Sequence, residues 1–338
     1  MNAKVRKMLN TLARILIVGL ACWFIYRQVF VQGDFGAFRD RIAKGIASGP
    51  FLFPALSALL LVPVNWSLEA FKWRMLIRPL EPVTFGAALK SVLTGITLSL
   101  FTPNRTGDFL GRVFTLRRAN PVKGALLTIA GSITQLIVTL VAGLLALVFY
   151  LPRYAGFTEI WQNYLYAGLV IISLTLSALL VLFCLRVPVI GLSLHRLIRP
   201  SWRKIRLYLS VIERIKRKTM LRVLLLSTLR YVVFSGQFYL LLRAFELPVP
   251  YLHALMLIAM TYFVMSAIPT VALADLGIRG SVSIYFLGRY FPASETAAAA
   301  ILSASTLIWI INLAVPALAG ILFIRRLNFT GRKEKYAG

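Results

Sequence analysis

Long apolar runs separated by short basic gaps constrain this chain more than any other feature of its sequence. Runs of about 20 residues, the length of a helix that crosses a bilayer, recur throughout the 338 residues. Hydrophobic residues make up 59% of the chain and charged residues only 14%, whereas soluble proteins carry roughly a quarter charged residues. The sequence therefore predicts an all-α polytopic membrane protein.

The basic residues follow the gaps between these runs. A formal net charge of +27 would suggest nucleic-acid binding in a soluble protein, but here the charge is confined to short connecting segments. Lys and Arg concentrate on the cytoplasmic side of membrane proteins, so the charge is a topology signal, and we expect no nucleic-acid partner. It predicts a multi-pass protein of a bacterial cytoplasmic (inner) membrane, with both termini and the segments 72–90, 112–123 and 186–222 in the cytoplasm.

The apolar runs predict one integral membrane domain and no soluble domain. Six runs are long enough to cross the membrane, and they cover residues 12–30, 50–70, 124–151, 165–185, 221–242 and 296–324 of the single domain 1–338.

The basic cytoplasmic segment 186–220 follows the fourth of these spans. In its second half Ile205, Leu209, Ile212 and Ile215 recur at helical spacing, which predicts an amphipathic helix in the membrane plane. We expect this segment to orient the chain and to bind anionic lipids, with recognition of a specific partner as the alternative.

Two further apolar runs are interrupted at membrane depth by prolines, glycines and charges. The first break covers 102–112 and reads Thr-Pro-Asn-Arg-Thr-Gly-Asp-Phe-Leu-Gly-Arg, and the second covers 268–280. The apolar stretch that follows the first break is too short to recross a bilayer. We therefore predict two re-entrant helical hairpins, at about 85–118 and 251–291. The order of the loops gives them opposite orientations, as in an inverted repeat.

Each break carries an aspartate four residues before an arginine. The pairs are Asp108 with Arg112 and Asp275 with Arg279. Irregular backbone at membrane depth must be buried in protein or line a wet cavity. A helix beginning there offers free N–H groups, and a nearby arginine makes the corner suitable for an anion such as a lipid phosphate. The same spacing also fits structural ion pairs, and this alternative stays open.

Other intramembrane polar residues extend the candidate site. Arg105 has no local acidic partner and is the strongest single candidate for a headgroup contact, because charges within membranes are costly and usually functional. Arg230 is either a second headgroup contact or the countercharge of an aspartate. Polar residues that are candidates for lining the site are Asn65, Gln135 and Glu69, the last of which alternatively pairs with Lys72 or Arg74 at the interface. The candidate substrate-binding residues are Arg105, Asp108, Arg112, Arg230, Asp275 and Arg279.

Motifs of metal and catalytic sites are missing from the sequence. It has no cluster of His, Cys and carboxylates at metal-ligand spacing, no phosphate-binding loop and no nucleophile elbow. We therefore expect no metal, no cofactor and no enzymatic activity.

The two breaks resemble motifs of the lysylphosphatidylglycerol synthase transmembrane-region family. Members show Pro-x-Arg-x-Gly-Glu after a hydrophobic run, and residues 103–108 read Pro-Asn-Arg-Thr-Gly-Asp. The later family segment Gly-Leu-Gly-Val-Arg-Glu corresponds to Asp-Leu-Gly-Ile-Arg-Gly at 275–280, which lacks the final acid. The resemblance covers nearly the whole chain in length and hydropathy. It implies a stand-alone, flippase-like member without the aminoacyl-transferase domain.

Taken with the residues, this resemblance leads to a functional expectation. We expect a flippase-like transporter that translocates or binds a phosphate-bearing lipid, such as a phospholipid, an aminoacyl lipid or a polyprenyl-linked glycolipid. Its partners would be membrane lipids, chiefly anionic ones. The alternative is a non-transporting membrane partner that recruits or stabilises a lipid-modifying enzyme.

Overall fold

The computed structural model describes most of the chain between its two ends. The described residues are 35–100, 102, 106–116, 119–154, 160–197, 203–269, 272–291 and 294–324, together with isolated residues between Met8 and Tyr26. Within these ranges the chain is helical and contains no β-strand. The predicted all-α fold is confirmed for this part of the chain.

Helices α1 to α11 make up the described ranges from residue 35 onward. They are α1 (Phe35–Ser48), α2 (Leu52–Ile77), α3 (Phe85–Ser99), α4 (Gly107–Phe114), α5 (Pro121–Tyr154), α6 (Ile160–Leu197), α7 (Arg203–Glu213), α8 (Arg217–Ala244), α9 (Tyr251–Ala267), α10 (Ala272–Leu287) and α11 (Glu295–Ile324). A 3-10 turn at Gly288–Tyr290 follows α10, and α11 passes through a π-helical stretch at Ile310–Ala314.

Five of these helices are long and apolar enough to cross a membrane. They are α2, α5, α6, α8 and α11, and they coincide with five of the six predicted spans. The remaining predicted span, 12–30, lies largely outside the described residues. The chain is thus an integral membrane protein.

Polar residues at the starts of several helices fix where those helices begin. Asn120 caps α5 by accepting a hydrogen bond from the Val122 N–H at 2.9 Å. Pro121 occupies the first turn of that helix, where its missing N–H costs nothing. Thr84 and Ser294 cap α3 and α11 in the same way. These caps fix the first residues of α3, α5 and α11.

Two pairs of short helices double back on themselves. α4 has only 8 residues and returns against α3, while α10, with 16 residues, returns against α9. With 15 and 17 residues, α3 and α9 are also shorter than the roughly 20 residues that cross a bilayer. Helical hairpins therefore occur at the two predicted positions, the first as α3 and α4 and the second as α9 and α10, and their re-entrant insertion in the membrane stays a prediction.

The orientation of the hairpins follows from the packing of α2 against α8. Phe51, just before α2, meets Phe245, just after α8, with ring centroids 5.4 Å apart. Further along, Glu69 in the second half of α2 pairs at 3.0 Å with Arg230 in the middle of α8. The two helices are therefore antiparallel. Because α2 leads into the first hairpin and α8 into the second, the hairpins open at opposite ends of the bundle.

The helix contacts of the first half of the bundle, α2–α5, correspond to those of the second half, α8–α11. α3 packs against the C-terminal part of α11 and α9 against α5, while α4 contacts α5 and α10 contacts α11. Exchanging α2–α5 with α8–α11 leaves this set of contacts unchanged. A glycine allows close approach in each half, Gly320 beside Thr97 of α3 and Gly143 beside Phe263 of α9. This is the arrangement of an inverted repeat, as predicted.

The basic segment differs from its prediction in two respects. α6 continues to Leu197, so the first part of the segment extends a spanning helix. The predicted amphipathic helix exists as α7, but it packs against α5 and α6, with Val211 and the following Ile215 nearly fully buried. The protein's own bundle thus covers part of the apolar face that was expected to rest on lipid.

Candidate functional site

The first hairpin is held together by a crossing of glycines. A Cβ atom on Gly111 of α4 would overlap the backbone of Gly95 on α3, so the two helices meet at backbone contact. At the start of α4 the Gly107 N–H donates to Oγ1 of Thr102 at 2.6 Å. This close crossing sets Asp108, in the first turn of α4, directly against α3.

Arg112, one turn further along α4, joins two carboxylates. Its Nη2 lies 2.7 Å from Oδ2 of Asp108, and its Nε donates to the other oxygen of that carboxylate at 2.8 Å. Its Nη1 donates to Oε1 of Glu69 on α2, also at 2.8 Å. The planar guanidinium suits such paired contacts. The first hairpin is thereby tied to α2 through buried charges.

Glu69 lies at the centre of an ion cluster, which we define as Glu69, Lys72, Asp108, Arg112 and Arg230. One of its oxygens, Oε2, is 2.7 Å from Nζ of Lys72 and 3.0 Å from Nη1 of Arg230. Glu69 is only 4% exposed and Lys72 only 2%. Three cations and two carboxylates leave one positive charge in excess. Buried charges are tolerated when they are paired, so the members depend on each other.

Arg230 connects the ion cluster to a chain of amides. Its Nε donates to Oδ1 of Asn65 at 3.0 Å, and its guanidinium lies 5.0 Å from the ring centroid of Trp66. Nδ2 of Asn65 in turn donates to Oδ1 of Asn312, in the π-helical stretch of α11, at 2.7 Å. Because arginine only donates, this chain fixes the orientation of both amides. A polar path therefore runs from α8 through α2 to α11.

The second hairpin carries a looser pair. On α10, Nη2 of Arg279 lies 3.5 Å from Oδ2 of Asp275. Both residues are buried, at 7% and 3% exposure. Within the described part of the chain, Nε of Arg279 has no hydrogen-bond partner. This end of the arginine is available to a bound group.

Two adjoining cavities lie between the hairpins. The larger, about 580 Å³, includes Asp275 and Arg279 on its wall, and the smaller, about 290 Å³, includes Glu69, Asp108 and Arg112. Residues common to both walls are Trp66, Phe109, Ser132, Gln135, Leu136, Thr139, Arg230 and Leu313. Arg230 therefore stands between the two cavities.

The wall of the larger cavity combines aromatic rings with unsatisfied polar atoms. Its aromatic residues are Trp66, Phe109, Tyr231, Phe234, Tyr262 and Trp309. Buried wall atoms that have no hydrogen-bond partner among the described residues include Nε1 of Trp66, Oε1 of Gln135, the hydroxyl of Tyr262, Nε of Arg279 and Nδ2 of Asn312. Buried polar atoms are normally hydrogen-bonded, so these atoms are suited to bind a polar ligand or water.

Most of the predicted site residues reach these cavities. The five that line one or both are Asp108, Arg112, Arg230, Asp275 and Arg279. Arg105 lies outside the described residues, and its headgroup contact stays a prediction. Ion pairs are present at both hairpins, while Arg230 pairs with a glutamate instead of an aspartate. Substrate binding by these residues stays a prediction.

Sequence reasoning missed the central position of Glu69. Its predicted pair with Lys72 is confirmed, but protein encloses both side chains, and Arg74 instead donates to the carbonyl of Val83 at 3.0 Å. The available signal was the spacing of Glu69 and Lys72, opposite charges one turn apart in an apolar helix. The contact of Asn312 had no such signal, because its partner Asn65 lies 247 residues away in the sequence.

The donor set of these cavities does not resemble a metal site. Among the described residues no group of three or more His, Cys, Asp or Glu side chains is placed to hold a metal ion. The carboxylates present are instead bonded to arginine and lysine. The arrangement is suited to an organic anion.

Fold and site together define a class of protein. It is an all-α integral membrane protein with a polar, positively charged cavity between two oppositely opening hairpins. The chain belongs to the family described as the lysylphosphatidylglycerol synthase TM region, whose family model matches residues 11–315. This family links the protein to lipid metabolism or translocation. Comparisons with curated proteins and with solved structures gave no match.

Proposed function

We propose that this protein is a flippase-like transporter that moves a phosphate-bearing lipid across the membrane. The observation that carries the proposal is the larger cavity, which lies between oppositely opening hairpins and has Arg230 and Arg279 on its wall. A phosphate is negatively charged and accepts hydrogen bonds, so arginines suit it well. Membership of a family linked to lipids supports a lipid as the carrier of that phosphate.

In the proposed cycle the headgroup enters the larger cavity while the acyl chains stay in the bilayer. Ile133 and Leu136 on α5 line this cavity and are 36% and 43% exposed, so they offer apolar surface beside it for the chains. Because the hairpins open at opposite ends, movement of one half against the other would exchange the side of access. The cycle contains no covalent step, and we propose no enzymatic activity.

A transport assay with purified protein in liposomes tests this function. We expect wild-type protein to move at least one of three labelled lipids between leaflets: phosphatidylglycerol, an aminoacyl phospholipid or a polyprenyl-linked sugar. Arg230→Gln should slow that movement about tenfold or more, equivalent to about 1.4 kcal/mol in the barrier, because it removes the cation between the cavities. The matched control is Arg243→Gln at the exposed end of the same helix, which should keep the wild-type rate.

Thermal unfolding of each variant verifies that it is folded before rates are compared. If folded wild-type protein moves none of the three lipids, the transport proposal is wrong. Recruitment of a lipid-modifying enzyme would then be the function to test, by pull-down with the basic segment 186–220 reversed in charge. Equal rates for wild type and Arg230→Gln would exclude Arg230 from the transport site.

A further inference from the structure

The larger cavity offers a mixture of hydrogen-bonding groups that a phosphate alone does not satisfy. Nε2 of Gln135 donates to the carbonyl of Ser227 at 3.3 Å, which makes its other amide atom, Oε1, a pure acceptor. Asn312 accepts from Asn65 through Oδ1, so its Nδ2 is a donor. Neither atom has a partner in the described part of the chain. An ionised phosphate cannot donate to Gln135, whereas a hydroxyl group both donates and accepts.

Aromatic rings line the same cavity as these amides. The rings of Phe234 and Tyr262 stack with centroids 5.0 Å apart, and both residues line the cavity. The faces of aromatic rings are electron-rich and pack against the slightly positive C–H groups of a sugar ring. The sugar hydroxyls project from the edge of that ring, where amide groups can reach them. Rings next to mixed donors and acceptors therefore suit a pyranose.

The charges on the two cavity walls disfavour a cationic headgroup. Among the described residues, Asp275 is paired with Arg279 and Asp108 with Arg112, while Glu69 faces three cations. An ammonium group of an aminoacyl lipid would therefore meet carboxylates that are already engaged, in surroundings with surplus positive charge. An anionic headgroup carrying neutral hydroxyls meets no such penalty.

We propose that the larger cavity binds the headgroup of a lipid-linked sugar phosphate, an inference that rests on the lipid-transport function. The sugar ring lies against Phe234 and Tyr262, its hydroxyls bond to Gln135 and Asn312, and its phosphate contacts Arg279. The cavity volume of about 580 Å³ falls within the roughly 300–1,000 Å³ of typical small-molecule sites. It has room for a monosaccharide with its phosphate.

A binding measurement on the full chain in lipid nanodiscs tests this assignment. Three probes separate the parts of the ligand: geranyl phosphoglucose, geranyl phosphate and glucose 1-phosphate. Titration calorimetry is expected to give a Kd for geranyl phosphoglucose about tenfold or more below that of either fragment. This difference corresponds to about 1.4 kcal/mol, the contribution of a few added hydrogen bonds.

Two cavity variants and one matched control test which residues cause the preference for geranyl phosphoglucose. Gln135→Leu and Asn312→Leu should each lower the ratio of the Kd value for geranyl phosphate to that for geranyl phosphoglucose, because each removes one of the groups that bond the sugar hydroxyls, and the two substitutions together should bring the ratio close to one. Ser177→Ala is the control. Its hydroxyl is also buried without a hydrogen-bond partner among the described residues, but it lies on α6 and lines neither cavity. We expect that variant to keep the wild-type ratio.

Different results would contradict the sugar assignment, the lipid part of the ligand and the transport function. Equal affinity for geranyl phosphate with and without glucose would overturn the sugar assignment and leave lipid transport intact. Equal affinity for glucose 1-phosphate and geranyl phosphoglucose would assign the site to a free sugar phosphate and overturn the lipid part. Selective binding of geranyl phosphoglucose by protein that transports no lipid would support the site and refute the transport function.

Discussion

Glu69 joins α4 and α8 to its own helix, α2, through one carboxylate. Lys72 lies one helical turn away, Arg112 is 43 residues away on the first hairpin, and Arg230 belongs to the second half of the chain. Burying a charge costs several kcal/mol, and this cost is offset only while its partners are in place. The loss of this one carboxylate would leave the buried Lys72 and Arg112 and the partly buried Arg230 close together, with Asp108 as the remaining carboxylate of the ion cluster.

We predict that Glu69→Gln destabilises the protein by about 3–5 kcal/mol, because glutamine preserves the shape of the side chain and removes its charge. Unfolding by denaturant in detergent measures the change. Adding Lys72→Met should restore part of the loss, since it removes one uncompensated cation and keeps an apolar side chain of similar length. If the two substitutions are simply additive, the ion cluster does not act as a unit.

For single residues, the sequence indicated which charged residues pair within one helix, but it did not indicate which distant residues are in contact. The pairs Asp108 with Arg112 and Asp275 with Arg279 were predictable because spacing by four residues is a local property of a helix. The contact of Asn65 with Asn312 depends instead on which helices pack together, and the two residues are 247 positions apart. A single sequence contains no local signal for such a contact.

Among the elements, the first hairpin depends most on small residues. A Cβ on Gly111 would overlap Gly95 at the backbone, which cannot move aside as a flexible side chain can. Asp108 lies one turn before this crossing and bonds Arg112. The glycines therefore set both the packing of the hairpin and the position of its ion pair.

We expect Gly111→Ala to destabilise the protein by about 1–3 kcal/mol, the usual cost of overpacking. Gly277→Ala in the outgoing helix of the second hairpin is the matched control, because a Cβ there meets no atom within 4 Å. It should leave stability unchanged or raise it slightly, since alanine favours helix. Thermal unfolding in detergent compares the two. Equal losses would show that the crossing at Gly95 is not the cause.

The sequence predicted the spanning helices and the hairpins because one physical signal dominated in each. Apolar length predicted the spans, and proline, glycine and charge at membrane depth predicted the hairpins. Boundaries were less accurate. α10 begins at Ala272, earlier than the end of the predicted break at 280, so Asp275 lies in the first turn of a helix. The Ala-Leu-Ala sequence at its start favours helix and outweighed the polar residues that follow.

For the whole molecule, the antiparallel arrangement of α2 and α8 predicts that the turns before the two hairpins face opposite sides of the membrane. Pro82 and Pro248 are exposed residues in these turns. In a variant without Cys22 and Cys184, we expect an impermeant thiol reagent to label Pro248→Cys in intact cells and Pro82→Cys only after permeabilisation. That result would place the basic loop before the first hairpin in the cytoplasm, as the distribution of Lys and Arg predicts. Labelling of both from the same side would contradict the inverted arrangement.

The arginines of the two hairpins form ion pairs of unequal strength. Among the described residues, Arg112 is held by two carboxylates at 2.7 and 2.8 Å, whereas Arg279 pairs with one carboxylate at 3.5 Å. In this part of the chain, the ion pairs of Arg112 are therefore stronger than that of Arg279. A conformational equilibrium follows such differences in free energy between its states. In the proposed transport cycle, we expect the protein without bound lipid to keep the ion pairs of the first hairpin intact, so that lipid binding supplies the free energy for the less populated state.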